Sequence, residues 1–138
     1  MDKPRVLITG IAGFIGSNLA DRLVREGYPV IGIDNLAYGV REQVPTEAEF
    51  HKLDIRSQDI YPIFEKADIV FHLAAKNSLL DCQLDPVATL DINVTGTANV
   101  FEAVRRATAN GAKIKKIIYA QSAALEEGEA RLKGFYAI

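Results

Sequence analysis

The chain has 138 residues, of which 49% are hydrophobic and 25% charged, a composition typical of one globular domain with its own core. A net charge of −2 provides no basic field, so we expect neither nucleic acid nor an anionic membrane as a partner. One cysteine excludes an intrachain disulfide, and the lack of a signal-peptide pattern or an apolar run of ~18 residues favours a cytoplasmic protein.

The beginning of the chain predicts a strand, a helix and a second strand. Residues 5–9 form a short apolar run that is typical of a buried strand. Apolar residues then recur at helical spacing over residues 14–26, and Gly27 is placed to end that helix as a C-terminal cap. A second apolar run at residues 29–33 predicts the next strand, which ends at Asp34.

The middle of the chain predicts two more strands with a short helix between them. A polar loop at residues 37–45 leads into a third strand at residues 49–53. Ser57 is a favourable N-cap for a short helix over residues 57–66. Residues 68–73 are apolar almost throughout, which suits a strand of a parallel sheet that is covered on both faces.

The last third predicts a long helix and a fifth strand. Asp85 and Pro86 favour a helix start, and Asn110-Gly111 favours its end, so we expect one helix over residues 86–109. Residues 115–120 predict the final strand. The helix should pack against the sheet through an apolar stripe made of Val94, Val100, Ala103, Val104 and Ala107.

Alternation of strands and helices predicts an α/β protein with right-handed crossovers. We expect a three-layer Rossmann fold, with an open parallel sheet of about five strands in the order 3-2-1-4-5 and helices on both faces. Residues 1–124 would form this domain, and residues 125–138 would be a C-terminal tail folded back on it.

Three glycines spaced three residues apart, Gly10, Gly13 and Gly16, lie between the first strand and the first helix. The first would allow a sharp turn, the second would let a diphosphate approach the backbone, and the third would let the helix pack close to the sheet. The unpaired N–H groups of the first helical turn favour an anion. The alternative is a tight turn that binds no ligand.

Asp34 follows the second strand, where a carboxylate accepts hydrogen bonds from a ribose diol and repels a 2′-phosphate. This position favours NAD over NADP as the cofactor. Arg41, a little further along, would instead suit a phosphate and keeps NADP as the less favoured choice. Asp34 would otherwise be a surface aspartate that begins a loop.

Six segments in order carry a family resemblance: TGIAGFIG at 9–16, VIGIDNL at 30–36, LDIR at 53–56, VFHLAA at 70–75, DINVTGT at 91–97 and IIYAQSAA at 117–124. Together they resemble the extended short-chain dehydrogenase/reductase family of NAD-dependent nucleotide-sugar epimerases and dehydratases, in its N-terminal portion only. The resemblance implies NAD as the cofactor.

The resemblance also implies residue roles. It places the diphosphate at Gly10, Gly13, Phe14, Ile15 and Gly16, the adenosine ribose at Asp34 and Asn35, and the adenine at Asp54 and Ile55. It places the nicotinamide side at Leu73, Ala74 and Ala75, a bracing residue behind the cofactor at Asn93, and the contact to the reacting sugar hydroxyl at Ser122.

Purely structural roles remain open for several of these polar residues. His72 lies in an apolar strand and is expected to be a core histidine with satisfied hydrogen bonds. Asn93 would otherwise only satisfy backbone groups, and Ser122 would only cap the next segment. Lys76 stands where the family often has glutamine, and we expect no metal site.

The family's catalytic pair, Tyr-x-x-x-Lys, has no match. The tyrosines are Tyr28, Tyr38, Tyr61, Tyr119 and Tyr136, and none is followed by lysine four residues later. Because the tyrosine is the acid/base and Ser122 alone has no base to activate it, we expect this chain alone to be inactive. The substrate domain of the family also has no counterpart, so a nucleotide-sugar would bind only with further residues.

Three functions remain open. In the first, the chain is the NAD-binding front half of a dehydratase or of a nucleotide-sugar epimerase of the UDP-glucose 4-epimerase type. Alternatively, it is a subunit completed in trans by another chain, or a non-catalytic NAD-sensing or interaction protein. The helix at 86–109 is the surface we expect to form a homodimer.

Overall fold

Five parallel strands form one sheet in the computed structural model, which describes residues 2–120. The strands are β1 (Val6–Thr9), β2 (Val30–Asp34), β3 (Glu49–Lys52), β4 (Ile69–His72) and β5 (Lys116–Tyr119). Their order is β3-β2-β1-β4-β5, which confirms the predicted topology. Ser122 and the predicted tail at residues 125–138 lie outside the described residues.

Helical segments connect the strands. They are α1 (Phe14–Arg25), α2 (Tyr61–Phe64), α3 (Leu79–Leu84), α4 (Pro86–Leu90) and α5 (Gly96–Ala109). Two 3₁₀ turns, Arg41–Gln43 and Gln58–Ile60, and a π-helical segment, Asp91–Thr95, complete the set in residues 2–120. No helix in this range is long and apolar enough to cross a bilayer.

Alternate residues of β1 point to opposite faces of the sheet and enter two separate cores. Leu7 packs with Phe64 of α2 and Val100 of α5 on one face. Val6 and Ile8 pack with Ala20 of α1 on the other. The sheet is therefore covered on both sides, which confirms the three-layer prediction.

The predicted helix ends are present with their capping groups. The Ser57 hydroxyl accepts the Asp59 N–H at 3.1 Å, and the Asp85 carboxylate accepts the Ala88 N–H at 3.0 Å. Gly27 and Gly111 have φ of 79° and 99°, a left-handed conformation that suits glycine after a helix.

The helical region before α5 differs from the prediction. Instead of one helix from residue 86, two helices, α4 and α5, are joined by the π-helical segment. The short helix α3, which the sequence pattern does not predict, precedes them. The extra residue of a π-helical turn rotates the preceding residues by about 100° relative to α5. Val94 is 60% exposed, because six residues at 3.6 per turn place it about 120° around the helix from Val100, whereas Val100, Ala103 and Ala107 are buried as expected.

Candidate cofactor site

The glycine-rich turn lies between β1 and α1, and two of its glycines are required by packing. Gly10 has φ of 76°, and a Cβ there would lie 2.8 Å from the backbone nitrogen of Ala74. A Cβ at Gly16 would overlap the carbonyl oxygen of Gly10. The described atom nearest to a Cβ at Gly13 would be the carbonyl oxygen of Gly10, at 3.4 Å. Packing of the protein therefore does not explain the glycine at position 13.

Helix α1 begins with backbone donors that are not used inside the protein. Gly13 is its N-cap and supplies no side-chain hydrogen bond. Within residues 2–120, the N–H groups of Phe14, Ile15 and Gly16 donate to no protein acceptor, whereas the Ser17 N–H donates to the Gly13 carbonyl. The exposed fraction is 82% for Phe14 and 65% for Ile15, so the start of the helix faces solvent. Such a helix start attracts anions.

Asp34 lies against the glycine-rich turn. Its Oδ2 accepts the Ala12 N–H at 3.0 Å, and its Oδ1 accepts the Leu36 N–H at 2.8 Å. These two hydrogen bonds fix the carboxylate at the end of β2, next to the free donors of α1. The tertiary structure thus brings together the glycine turn and the acidic residue that the sequence predicted to act together.

Asn35 and Asp54 form a second polar group beside the turn. The Asn35 amide donates to Asp54 Oδ2 at 3.1 Å. The Arg56 guanidinium contacts both carboxylate oxygens of Asp54 and reaches Asp91 at 2.7 Å. Hydrogen bonds from the Arg56 guanidinium hold the pKa of Asp54 well below its usual range, and hydrogen bonds to the two carboxylates raise the pKa of Arg56. Arg56 therefore ties the loop after β3 to the π-helical segment.

The side chain of Ile55 does not lie on an open binding surface. Its side chain is buried and packs against Gly96, where a Cβ would come within 2.6 Å of Ile55 Cδ1. Its carbonyl oxygen accepts a hydrogen bond from the Asn99 amide at 2.7 Å. The side chain of Ile55 thus belongs to the core and anchors the loop that carries Asp54.

The loop after β4 contains Leu73, Ala74 and Ala75, and Ala74 lies beside Gly10. The Asn93 side chain holds this loop through Lys76: its Oδ1 accepts the Lys76 N–H at 2.8 Å, and its Nδ2 donates to the Lys76 carbonyl at 2.9 Å. Asn93 therefore holds the backbone of this loop at Lys76. Its place in the π-helical segment fits the frequent use of such turns at functional sites.

Both ring nitrogens of His72 are hydrogen-bonded, as expected of a core histidine. Nδ1 lies 2.7 Å from the Thr9 hydroxyl and Nε2 lies 2.8 Å from the Thr97 hydroxyl. Burial lowers the pKa of the imidazole. His72 is therefore neutral at pH 7 and is not exposed to a substrate as a base.

The sequence assigns no role to several residues that shape this site. Arg56, Asn99 and Thr97 join segments that are far apart in the chain, and Lys76 is buried. An arginine two residues after Asp54 is a weak signal for the first of these. Across residues 2–120, no group of three or more His, Cys, Asp or Glu side chains is arranged to hold a metal.

A parallel sheet in the order 3-2-1-4-5, with a glycine turn leading into α1 at the reversal of strand order, defines the Rossmann class. The family model of the NAD dependent epimerase/dehydratase family matches residues 6–131. The chain belongs to this family.

Named relatives agree with this assignment. A "putative UDP-glucose 4-epimerase" of Methanocaldococcus jannaschii is 38% identical over 126 residues, which are 90% of this chain and 40% of the relative. The UDP-glucose 4-epimerase of Mycolicibacterium smegmatis is 37% identical, over 86% of this chain and 38% of its own length. The chain thus spans about 40% of the length of these relatives.

Solved structures give the same result for the fold. The UDP-glucose 4-epimerase of Thermotoga maritima with UDP-glucose superposes with a TM-score of 0.79 at 33% identity, covering 86% of this chain and 38% of that one. The Thermus thermophilus UDP-glucose 4-epimerase in complex with NAD gives 0.78 at 36% identity, covering 86% and 37%. The chain therefore resembles the N-terminal NAD-binding part of such enzymes.

Proposed function

We propose that this chain binds NAD at the glycine-rich turn and is the NAD-binding portion of a nucleotide-sugar epimerase or dehydratase of the UDP-glucose 4-epimerase type. One observation supports this most directly. Three free N–H groups at the start of α1 lie beside a carboxylate that is fixed to the same turn through Ala12. Free donors suit a diphosphate, and the carboxylate suits the neighbouring ribose.

The diphosphate would lie over Gly13 and accept hydrogen bonds from the N–H groups of Phe14, Ile15 and Gly16. The space around Gly13 supports this role, because no protein packing demands a glycine there. Gly10 would contribute by turning the chain sharply enough to expose these donors.

Asp34 and Asn35 would hold the adenosine ribose. Two backbone N–H groups fix the Asp34 carboxylate but leave its remaining lone pairs available to ribose hydroxyls. A 2′-phosphate would meet this carboxylate at close range, which favours NAD over NADP. Asp54 and the backbone of Ile55 would border the adenine, since the Ile55 side chain is buried.

Leu73, Ala74 and Ala75 would border the nicotinamide side, with Asn93 behind them as the brace of the loop. The proximity of Ala74 to Gly10 supports this arrangement, because it places the loop at the same crevice as the turn. Ser122 would contact the reacting sugar in the complete enzyme. A nucleotide-sugar would bind only with the residues that complete the substrate site.

Calorimetric titration of the full chain with NAD and NADP tests the proposal. We expect NAD to bind more tightly than NADP to the wild type. Asp34→Ala should weaken NAD binding and reduce its advantage over NADP. Asp34→Asn keeps an acceptor for the Ala12 N–H but removes the negative charge, so it separates the effect of the charge from the support of the turn.

Asp59→Ala, at an exposed aspartate on the Gln58–Ile60 turn, is the matched control. Equal affinity of the wild type for NAD and NADP would contradict the role of Asp34, and no binding of either would contradict the function.

Association with another protein surface is the second candidate, and exposed apolar side chains favour it. Leu84, Val87, Leu90 and Val94 are each at least 60% exposed, and the last three recur at a spacing of three and four residues. Contiguous exposed apolar surface of this kind marks protein contacts. We propose that this stripe meets a second copy of the chain in a homodimer.

The domain boundary and the location of the protein are proposed from the sequence. Residues 1–124 would form the NAD-binding domain and residues 125–138 a C-terminal tail, in a cytoplasmic protein. Limited proteolysis in the presence of NAD, followed by mass spectrometry, tests the boundary: cleavage should fall after residue 124. Early cleavage within the domain would contradict it.

A further inference from the structure

A buried chain of hydrogen bonds joins the ends of two strands to the start of α5. Thr9 is the last residue of β1, His72 is the last residue of β4, and Thr97 lies in the first turn of α5. The imidazole of His72 connects the two hydroxyl groups, at 2.7 Å to Thr9 and 2.8 Å to Thr97. The exposed fraction is 0% for Thr9 and 5% for His72, so solvent does not compete for these groups.

The other partners of Thr9 determine which nitrogen of His72 carries the proton. The Ala74 N–H donates to the Thr9 hydroxyl oxygen at 3.2 Å, and the Leu73 N–H is shared between this oxygen, at 3.2 Å, and the Thr9 carbonyl. A hydroxyl oxygen has two lone pairs, and both are then in use. The Thr9 proton must therefore point to Nδ1 of His72. Nε2 then carries the ring proton and donates it to Thr97.

This network lies at the point of the sheet where ligands of open α/β folds bind. Thr9 and His72 are register partners on β1 and β4, the adjacent strands between which the strand order reverses. A ligand crevice opens outside the carboxyl ends of such strands. One of the N–H groups that donate to the Thr9 hydroxyl belongs to Ala74, and the backbone of Ala74 lies next to Gly10. The network thus sets the spacing between the glycine-rich turn and the loop after β4.

We propose that His72 is a positioning residue for the cofactor crevice: its Nε2–H tautomer, which accepts the Thr9 proton at Nδ1 and donates to Thr97, lets Thr9 hold Leu73 and Ala74 against the glycine-rich turn. This inference rests on the proposed function, since it assumes that NAD occupies the crevice. Loss of the Thr97 hydroxyl leaves Nε2–H without its acceptor and so weakens the preference for this tautomer over the Nδ1–H form. That form competes for a lone pair of Thr9 and releases the Ala74 N–H.

Long-range ¹H–¹⁵N NMR of the full chain, which distinguishes imidazole tautomers, tests the assignment directly. The chain has two histidines, and the His51→Gln variant identifies the signals of His72. We expect the Nε2–H tautomer in the wild type. A wild type with the Nδ1–H tautomer would overturn the inference whether or not NAD binds, and this measurement needs no destabilised variant.

Calorimetry then links the tautomer to the cofactor. Thr97→Val has nearly the same shape without the hydroxyl, and we expect a mixed or shifted tautomer together with about tenfold weaker NAD binding. Thr97→Ser keeps the hydroxyl and should restore both properties, which a loss of packing alone would not explain. A folded Thr97→Val that binds NAD like the wild type would overturn the inference while the proposed function stands. Failure of the wild type to bind NAD would instead overturn the proposed function, and the inference with it.

Discussion

The carboxylate of Asp34 accepts the backbone N–H of Ala12 at 3.0 Å, so the end of β2 and the glycine-rich turn form one structural unit. The side chain proposed to bind ribose also stabilises the turn proposed to bind diphosphate. Such pre-organisation lowers the entropic cost of binding. It also means that Asp34→Ala removes a support of the turn as well as a ribose contact, which is why Asp34→Asn is needed beside it.

Alanine substitutions at Gly13 and Gly16 should have opposite consequences. Gly13→Ala should change the free energy of unfolding by only about 1 kcal/mol, because φ is −79° and the nearest atom is 3.4 Å away. It should nevertheless weaken NAD binding by at least about tenfold, since the methyl group occupies the approach of the diphosphate.

Gly16→Ala should instead destabilise the fold, because its Cβ would overlap the Gly10 carbonyl oxygen. Urea denaturation and calorimetry on both variants check the pair. Unchanged NAD affinity in Gly13→Ala would remove this residue from the site.

The buried His72 should make stability depend on pH on the acid side of neutrality. Its folded pKa is lowered below 6.5 by burial, so above pH 6.5 both states are neutral and it has no effect. Below pH 6.5 the unfolded state takes up the proton first, and the free energy of unfolding should fall by up to ~1.4 kcal/mol per pH unit until the folded pKa is reached.

Urea denaturation between pH 7 and pH 5 measures this slope. His51→Gln, which leaves the buried histidine in place, should retain it, and a folded His72→Gln should lose it. The same stability at every pH in this interval would show that His72 is not held neutral.

Arg56 should govern the titration of Asp54. The folded pKa of Asp54 is depressed below 3.8, so its ionised form stabilises the fold above that pH and this stabilisation is lost as the pH falls below it. Arg56→Gln should raise the pKa of Asp54 toward its usual value and reduce this acid-side loss.

Carboxyl ¹³C NMR of Asp54 during an acid titration makes the comparison. Arg25→Gln is the control, since Arg25 donates to a backbone carbonyl of Asp21 on the surface of α1. A normal Asp54 pKa in the wild type would show that the ion pair with Arg56 does not form.

Charges introduced on the exposed apolar stripe should prevent self-association. Val87→Glu and Leu90→Glu lie on exposed positions of α4, so they should leave the fold intact. Sedimentation velocity should show a dimer for the wild type and a monomer for the variants. Asp59→Ala should sediment like the wild type, and a monomeric wild type would refute the homodimer.

The chain alone should not convert a nucleotide-sugar. Tyr28, Tyr38, Tyr61 and Tyr119 are not followed by a lysine four residues later, and loss of a positioned acid/base costs a factor of roughly 10²–10⁴ in rate. Incubation of the full chain with NAD and UDP-glucose, followed by chromatography of the sugar nucleotide, should show no product. Measurable product would mean that another group replaces the tyrosine.

Residues close together in the chain carried most of the correct predictions. The caps at Ser57 and Asp85 and the glycines after α1 and α5 mark helix ends through hydrogen bonds and φ angles that involve only neighbouring residues. The π-helical segment escaped prediction because its residues follow an ordinary helical pattern, and only packing around it favours the extra residue.

The amino-acid order alone was enough for the class of fold, the strand order, the place of the glycine turn and the position of Asp34 at the end of β2, because each depends on local periodicity or on rules of connection. Three-dimensional packing determined that Asp34 supports the turn, that Arg56 bridges Asp54 and Asp91, and that Thr9 and Thr97 share one imidazole. These contacts join residues that are distant in the chain, and hydrogen-bond geometry between such residues exists only after the strands and helices have packed.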